Sequence, residues 1–277
     1  MKITKQKNKI TVENPQDFDI VQTLNCGQIF RYVIDGNTAK VFSQNKKAEI
    51  RFSADKIEIE TADVEYFFNF FDLTTDYTKI KNELLKDELV APAVMFAPGI
   101  RIINNDAYEM MISFIISANN NIGRIKKSIE YLCTHFGKNC GDYFAFPTLE
   151  ELKKATVQDF VAAGLGYRAE YMFDTVQKLT PQTIENLKLA DNQTKFDILT
   201  SFKGIGEKVA NCIMLFGLGV KDVFPVDVWI NKVYNHIFNT NINDRKKITR
   251  ELTARYGKLS GYAQQYFYYY YRENKIN

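Results

Sequence analysis

The chain lacks paired cysteines, long apolar runs and a strong excess of charge of one sign. None of its four cysteines stands in a Cys-x-x-Cys pair, and it has only two histidines, so the usual zinc and iron–sulfur patterns are absent and we expect no metal. No apolar run reaches the roughly 18 residues of a membrane span, and no apolar segment follows the basic N-terminus. We therefore expect a cytoplasmic protein with no signal or transmembrane segment.

The net charge of +3 neither requires nor excludes nucleic acid as a partner. Two short segments are locally basic, one from Arg124 to Lys127 and one from Arg245 to Arg250. A basic run of this length is more often a solvated helix face than a binding site. The charge alone therefore assigns no function.

The first hundred residues of the chain have the pattern of β-strands. Short runs rich in β-branched and aromatic residues alternate with polar ones between Gln28 and Ile59, and Asp35-Gly36-Asn37 is a typical hairpin turn. From about Asn104 onward, apolar residues recur with helical spacing. The sequence predicts a mostly α member of the α+β class, with a small antiparallel sheet domain and flanking helices at 1–99 and an all-helical domain at 100–277.

The most informative segment predicts two helices joined by a short glycine turn, at about 192–218. Asp191 or Asn192 can cap the first helix, Gly204-Ile205-Gly206 forms the turn, and apolar residues continue at helical spacing beyond it. Helix, Gly-Ile-Gly, helix is typical of a helix-hairpin-helix. The glycines permit a sharp turn and a close approach by phosphate, and the free N–H groups that begin the second helix point toward it. For Gly-x-Gly alone, a tight turn between core helices is the favoured interpretation.

Lys208 lies in the first turn of the second predicted helix, where the helix dipole disfavours a cation. That position predicts a lowered amine pKa, which would make a neutral nucleophile more available. Downstream, Asp227 precedes another predicted helix, Val228 to Phe238, and can cap it while still presenting a carboxylate. A lysine nucleophile beside an aspartate is suited to attack at a sugar carbon, because the carboxylate stabilises the cationic character that develops there.

These motifs resemble the helix-hairpin-helix DNA glycosylases, and more narrowly the 8-oxoguanine DNA glycosylase family. The resemblance runs from Cys26 to about Tyr268, in five segments that follow the order of the family. The segments are Cys26-Gly-Gln-Ile-Phe-Arg31, Asn119-Asn-Asn-Ile-Gly-Arg124, Gly164-Leu-Gly-Tyr-Arg168, Gly204 to Cys212 with Pro225-Val-Asp227, and Ala263-Gln264 to Tyr268.

The resemblance implies a bifunctional enzyme that excises 8-oxoguanine opposite cytosine in double-stranded DNA and then cleaves the strand. It implies no cofactor, because lysine itself forms the covalent Schiff base. A monomer is the default expectation. The implied residues are Lys208 and Asp227 for catalysis; Gly27, Cys212, Pro225, Gln264 and Tyr268 for the base; and Asn119, Arg124, Tyr167, Arg168, Gly204, Gly206 and Val209 for the DNA.

The implied roles divide between the base and the helix that it leaves. The Gly27 carbonyl would accept the N7 proton that distinguishes 8-oxoguanine from guanine, and Gln264 would bond the Watson–Crick edge. Cys212 and Tyr268 would sandwich the faces of the flipped base. Asn119 and Tyr167 would fill the vacated space, while Arg124 and Arg168 would hold the estranged cytosine.

The chain departs from the family at two positions. Tyr268 stands where phenylalanine is usual, and Trp229 stands where a histidine often contacts phosphate. Two other functions remain open at this point: a related glycosylase for another damaged base, and a helix-hairpin-helix protein that binds DNA without catalysis. A lysine Schiff-base enzyme for small carbonyl compounds is disfavoured, because the chain shows no barrel-like alternation of strands and helices.

Overall fold

The computed structural model describes residues 1–274 of the chain. Within them an antiparallel sheet comes first and a series of helices follows, so the predicted fold class is confirmed. Residues 275–277, at the end of the second predicted domain, lie outside the described residues. None of the helices formed by the described residues is both long enough and apolar enough to cross a membrane.

The sheet has six strands in the order β1-β2-β6-β5-β4-β3, and every neighbouring pair is antiparallel. Their alternation of buried and exposed residues lets one face pack on a core while the other meets solvent. The predicted hairpin is present, with Asp35 paired to Thr38 across a two-residue loop. The strands are β1 (Lys2–Gln6), β2 (Lys9–Glu13), β3 (Tyr32–Asp35), β4 (Thr38–Ser43), β5 (Lys46–Phe52) and β6 (Lys56–Glu60).

Two predictions about the sheet are wrong. Strands β1 and β2 precede the predicted sheet, although the alternating residues of Lys9–Glu13 carry the same signal. The strand pattern predicted from Gln28 onward also begins too early, because residues 28–31 form a loop and β3 begins only at Tyr32. In this loop the Ile29 side chain packs in the core beneath the sheet and the Phe30 side chain packs in the core among the helices. The run of apolar residues that suggested a strand therefore reflects packing into two cores.

The helices follow the predicted periodicity closely. The helix-hairpin-helix consists of α11 and α12, and α13 has the predicted bounds. The helices are α1 (Ile20–Asn25), α2 (Val64–Phe70), α3 (Tyr77–Leu84), α4 (Ala91–Phe96), α5 (Ala107–Ser117), α6 (Ile122–Phe136), α7 (Leu149–Leu152), α8 (Val157–Ala162), α9 (Arg168–Lys178), α10 (Pro181–Leu189), α11 (Asn192–Thr200), α12 (Glu207–Gly217), α13 (Val228–Phe238), α14 (Arg245–Tyr256) and α15 (Ser260–Glu273), with a 3-10 turn at Gly257–Leu259.

Two apolar cores are present, one beneath the sheet and one among the helices. The helical core also takes residues from before the predicted boundary at residue 99. Tyr77 of α3 and Val94 of α4 belong to it, and α4 packs on the C-terminal helix α15. The division into domains at 1–99 and 100–277 therefore stays a prediction. In the structure, α3 and α4 pack with the helices of the second predicted domain.

A buried ion pair joins the loop between α1 and β3 to helix α5. Arg31 and Glu109 of α5 lie 3.6 Å apart, and both side chains are almost fully buried. Arg31 also donates to the Phe144 carbonyl at 2.6 Å, and Glu109 accepts from the backbone N–H of Gln44 at 2.7 Å. Because burial raises the pKa of Glu109 while Arg31 lowers it, the arginine is what keeps a charged carboxylate tolerable there.

We expect Arg31→Met to lower the free energy of unfolding by about 3–5 kcal/mol, because it leaves the Glu109 carboxylate buried without its counter-charge. Urea denaturation followed by circular dichroism measures this. The control is Lys5→Ala, which removes an exposed pair with Glu65 (2.7 Å) and should cost less than about 1 kcal/mol. Equal effects of the two substitutions would contradict the importance assigned to the buried pair.

Candidate active site

The glycine turn of the helix-hairpin-helix is built as its residues predict. Asp191, the first of the two predicted caps, accepts from the Thr194 N–H at 2.9 Å and begins α11. Gly204 has φ +88°, and a Cβ there would lie 2.8 Å from Cδ2 of Tyr171. Ile205 is buried between the helices. Glycine is therefore needed at 204 both for its backbone conformation and for space.

The start of α12 is open to a ligand. Gly206 is its N-cap, is exposed, and would meet no protein atom within 4 Å if a Cβ were added. The Val209 side chain is buried, so only the backbone of this residue could face DNA. Contacts of Gly204, Gly206 and Val209 with phosphate stay predictions, consistent with free N–H groups at a helix start.

Lys208 and Asp227 come together from the starts of two helices. Lys208 is the second residue of α12, and Asp227 is the N-cap of α13, where its Oδ1 accepts from the Ile230 N–H at 2.9 Å. Both residues line one cavity of about 360 Å³. The capping bond uses only Oδ1 of Asp227. It therefore orients Oδ2 without using it.

The charge state of Lys208 differs from the expectation drawn from the helix dipole. Burial lowers its pKa, but the Cys212 sulfur, the Asp227 carboxylate and the Tyr268 hydroxyl raise it by more, so the net direction is upward. Burial also raises the pKa of Cys212, against the effect of the neighbouring Lys208, which lowers it. The direction of the Lys208 pKa is therefore opposite to the predicted lowering, because the Cys212 sulfur and the Asp227 carboxylate together outweigh the effect of burial.

The cavity brings together all seven residues predicted for catalysis and for the base. Phe30, Phe114 and Phe216 supply apolar walls, and the rings of the last two stack with centroids 5.6 Å apart. The volume and the apolar walls with a few polar groups are typical of a small-molecule site. The seven are Gly27, Lys208, Cys212, Pro225, Asp227, Gln264 and Tyr268.

Gly27 and Tyr268 are in direct contact across the cavity. Gly27 has φ +82°, and a Cβ there would lie 2.9 Å from Cε1 of the Tyr268 ring. The Gly27 carbonyl, predicted to accept the N7 proton, and the Tyr268 ring, predicted to stack on the base, therefore lie next to each other. The Tyr268 hydroxyl lies near Arg272, whose guanidinium is 5.4 Å from the centroid of the Tyr268 ring. Burial raises the pKa of Tyr268, and Arg272 lowers it.

Gln28 holds the neighbouring backbone of Gly27 in place. Its buried side-chain amide donates to the carbonyls of Thr23 (2.9 Å) and Arg101 (2.7 Å). Its carbonyl oxygen accepts from the Ile103 N–H at 2.8 Å. A buried amide with both ends bonded fixes the direction of the chain, which explains how a loop can present a backbone carbonyl reproducibly.

The polar residues of the cavity that the sequence missed include two on α15, Gln265 and Arg272; the others are Ser117, Asn120 and Asn121. Arg272 follows Gln264 and Tyr268 at intervals of four along α15, so helical spacing places all three on one face and could have identified it. Gln265 carries no such signal, because it lies 100° around the helix from Gln264. Only the packing of α15 shows that it reaches the cavity.

Asn119 and Tyr167 lie on adjacent exposed loops. Asn119 has a left-handed backbone (φ +49°), and Tyr167 is 56% exposed just before α9. By contrast, Asn121 uses its side chain to cap α6, accepting from the Arg124 N–H at 3.0 Å. Arg124 itself is exposed. Insertion of Asn119 and Tyr167 into DNA stays a prediction, and their exposure is consistent with it.

Arg168 joins these two loops instead of extending into solvent. It is buried, and its guanidinium donates to the carbonyls of Ala118 (2.5 Å) and Asn119 (2.6 Å) while lying 4.4 Å from the centroid of the Tyr167 ring. The contact of Arg168 with cytosine stays a prediction. Its observed hydrogen bonds reach residues that lie 49 and 50 positions earlier in the sequence.

Trp229, the second departure from the family pattern, lines the mouth of the cavity. It is 41% exposed, and the Lys232 ammonium lies 5.4 Å from its ring centroid. The Trp229 indole offers a flat apolar surface at the position where the family pattern often has a histidine. In the part of the chain that the structure describes, no group of three or more His, Cys, Asp or Glu side chains is arranged to hold a metal ion.

Two family models match consecutive parts of the chain. Residues 10–111 match the 8-oxoguanine DNA glycosylase, N-terminal domain, and residues 112–258 match the HhH-GPD superfamily base excision DNA repair protein. The second match covers more than half of the chain. The division between the two models, at residues 111 and 112, lies within α5, later than the boundary predicted near residue 99.

Relatives support the same assignment over most of their length. A probable N-glycosylase/DNA lyase of Methanothermobacter thermautotrophicus is 31% identical over 77% of this chain and 75% of its own, and the N-glycosylase/DNA lyase of Saccharomyces cerevisiae is 29% identical over 89% and 74%. The 8-oxoguanine glycosylase/lyase of Clostridium acetobutylicum, solved with double-stranded DNA containing cytosine opposite 8-oxoguanine, is 36% identical with a TM-score of 0.93 and covers 100% of this chain and 99% of its own. The chain therefore belongs to the 8-oxoguanine DNA glycosylase family of the HhH-GPD superfamily.

Proposed function

We propose that this protein excises 8-oxoguanine opposite cytosine in double-stranded DNA and then cleaves the strand through a Schiff base on Lys208. The observation that carries the proposal is the shared cavity of Lys208 and Asp227, bounded by Cys212 and Tyr268. A nucleophile, a carboxylate and two surfaces for a flat base are what excision of a flipped nucleotide requires. The protein would act as a monomer in the cytoplasm, on chromosomal DNA.

Base release begins with the neutral amine of Lys208. The amine attacks C1′ of the flipped nucleotide, the bond from C1′ to N9 breaks, and the base leaves with the electron pair and takes up a proton. Asp227 stabilises the positive charge that develops on the sugar during this step. Loss of a proton from the attached nitrogen and opening of the sugar ring then give the Schiff base.

Strand cleavage follows from the same intermediate. The cationic imine acidifies the hydrogen on C2′, and its removal expels the 3′ phosphate by β-elimination. Water then adds to the imine carbon and restores the free lysine. Lysine supplies the electron sink throughout, so the scheme needs no cofactor.

Recognition of the lesion would depend on one proton. 8-Oxoguanine carries a hydrogen on N7 and guanine carries a lone pair, so an acceptor such as the Gly27 carbonyl attracts the first and repels the second. Gln264 would bond the Watson–Crick edge, and Cys212 and Tyr268 would cover the two faces. Arg124 and Arg168 would hold the cytosine that remains.

Sodium borohydride should trap the wild-type protein on a duplex carrying one 8-oxoguanine opposite cytosine, because it reduces the Schiff base. Lys208→Gln should give no adduct and lower strand cleavage by roughly 10³-fold or more, since the nucleophile is lost. Denaturing gels of labelled DNA measure both results.

Lys188→Gln is the matched control, because Lys188 is an exposed lysine of α10 that pairs with Glu185 at 2.8 Å. It should trap as the wild type does. Full strand cleavage by Lys208→Gln would refute the mechanism. Tight duplex binding by the wild type without base release would favour a non-catalytic binding protein, and release of a different base from a lesion panel would favour a related glycosylase.

Base excision should accelerate with pH, because the raised pKa of Lys208 keeps most of the amine protonated near neutral pH. The neutral fraction increases about tenfold per pH unit below the pKa, so kcat/KM should rise with that slope from about pH 6 to about pH 9. Single-turnover rates at enzyme concentrations below saturation measure this. A plateau already near pH 7 would mean that the lysine pKa is lowered, as the helix dipole alone predicts.

Gly27→Ala should slow 8-oxoguanine excision by about ten- to one-hundredfold, because its Cβ would collide with Tyr268 and displace the carbonyl that accepts the N7 proton. The control is Gly36→Ala, which has a similarly positive φ of +55° but would meet no atom within 4 Å. It carries the same kind of backbone strain without the collision, so its excision rate should stay near that of the wild type. Equal losses would assign the effect to strain.

A further inference from the structure

Gln265 is a residue of the cavity wall, and its buried side-chain carbonyl oxygen has no hydrogen-bond partner among the described residues. Its side-chain N–H donates to Oε1 of Gln264 at 2.7 Å, and the residue is 2% exposed. Its own Oε1 makes no hydrogen bond within residues 1–274. The other buried polar atoms in that condition belong to Tyr108, Lys221, Tyr256 and Tyr266, and none of these residues lines the cavity, whereas Gln265 does.

The hydrogen bond between the two glutamines couples their amides, so neither amide can turn over alone. Turning the Gln265 amide over would bring its carbonyl oxygen against that of Gln264, which is repulsive. The Gln264 oxygen keeps one lone pair, its side-chain N–H₂ remains available, and the Gln265 oxygen keeps both lone pairs. The pair therefore offers one donor group and two acceptors to whatever enters the cavity.

This set is complementary to the Watson–Crick edge of a guanine-type base. That edge carries an acceptor at O6, a donor at N1 and a donor at the 2-amino group. Gln264 can serve the first two with the two ends of one amide, in the way that side-chain amides bond bases elsewhere. The 2-amino group then needs a second acceptor. A buried acceptor without a partner gains the most free energy when such a donor reaches it.

We propose that the Gln265 carbonyl accepts a hydrogen bond from the 2-amino group of the flipped base, which makes Gln265 a specificity-determining residue for 2-aminopurine lesions. The inference rests on the proposed function. It assigns to Gln265 a discrimination that the N7 contact of Gly27 cannot make. 8-Oxohypoxanthine shares the N7 proton, O6 and N1–H of 8-oxoguanine, and lacks only the 2-amino group.

The first arm of the test uses the wild-type protein and two duplexes, each with cytosine opposite the lesion, carrying 8-oxoguanine or 8-oxohypoxanthine. Single-turnover excision of 8-oxoguanine should be about ten- to one-hundredfold faster, because the other base leaves the Gln265 oxygen buried and unpaired. Equal rates on the two lesions would overturn the proposal.

The second arm uses variants on the same two duplexes. Gln265→Met removes the acceptor at similar volume, so the preference should fall to about twofold or less through a larger loss of rate on 8-oxoguanine. Gln265→Glu keeps an acceptor but loses the N–H that bonds Gln264. It should therefore slow excision of both lesions while retaining the preference for 8-oxoguanine. The control is Gln177→Met, which changes an exposed glutamine of α9 whose amide donates to the Lys153 carbonyl, and it should behave as the wild type.

The outcomes separate the inference from the function on which it rests. A Gln265→Met protein that loses the same factor on both lesions would show a merely structural residue and overturn the assignment. If this variant fails to fold, as judged by its melting temperature, the wild-type comparison decides alone. A wild type that excises neither lesion would refute the proposed function and, with it, the assignment, whereas wild-type excision without a preference refutes only the assignment.

Discussion

The placement of an ammonium and a carboxylate in one largely apolar cavity is the constraint on which the site depends. Lys208 would be costly to bury alone, and Asp227 compensates by raising its pKa. Both groups begin helices, so the backbone fixes them more firmly than a loop would. The same carboxylate that holds the ammonium can stabilise the charge on the sugar, which links the stability of the free site to its chemistry.

The remainder of the cavity is assembled from distant segments that meet only through packing. The loop that contains Gly27 is held by the buried side-chain amide of Gln28, and Arg31 connects this loop to Glu109 of α5. Helix α15 supplies the opposite wall. Gly27 lies so close to Tyr268 that a Cβ at this position would collide with the ring. The position of the Gly27 carbonyl therefore depends on the packing of both the loop and α15.

The two loops that would enter the DNA show the same dependence. Arg168 bonds the carbonyl of Asn119 and lies against the ring of Tyr167, so the two residues expected to fill the vacated space are held as one exposed ridge. Its inward direction could not be read from a Gly-Tyr-Arg segment, because that depends on carbonyls provided by another loop. Exposure and burial of polar residues in loops are decided by tertiary contacts.

The sequence by itself determined the fold class, the helix-hairpin-helix and the caps at Asp191 and Asp227, because periodicity, glycine turns and capping residues act over a few neighbouring positions. It also indicated seven of the residues that line the cavity, through motifs matched in order. Only the tertiary structure decided the direction of the Lys208 pKa and the entry of Gln265 into the base cavity. Both depend on charges and amides brought within a few ångströms by packing, and spacing along the chain carries no record of such distances.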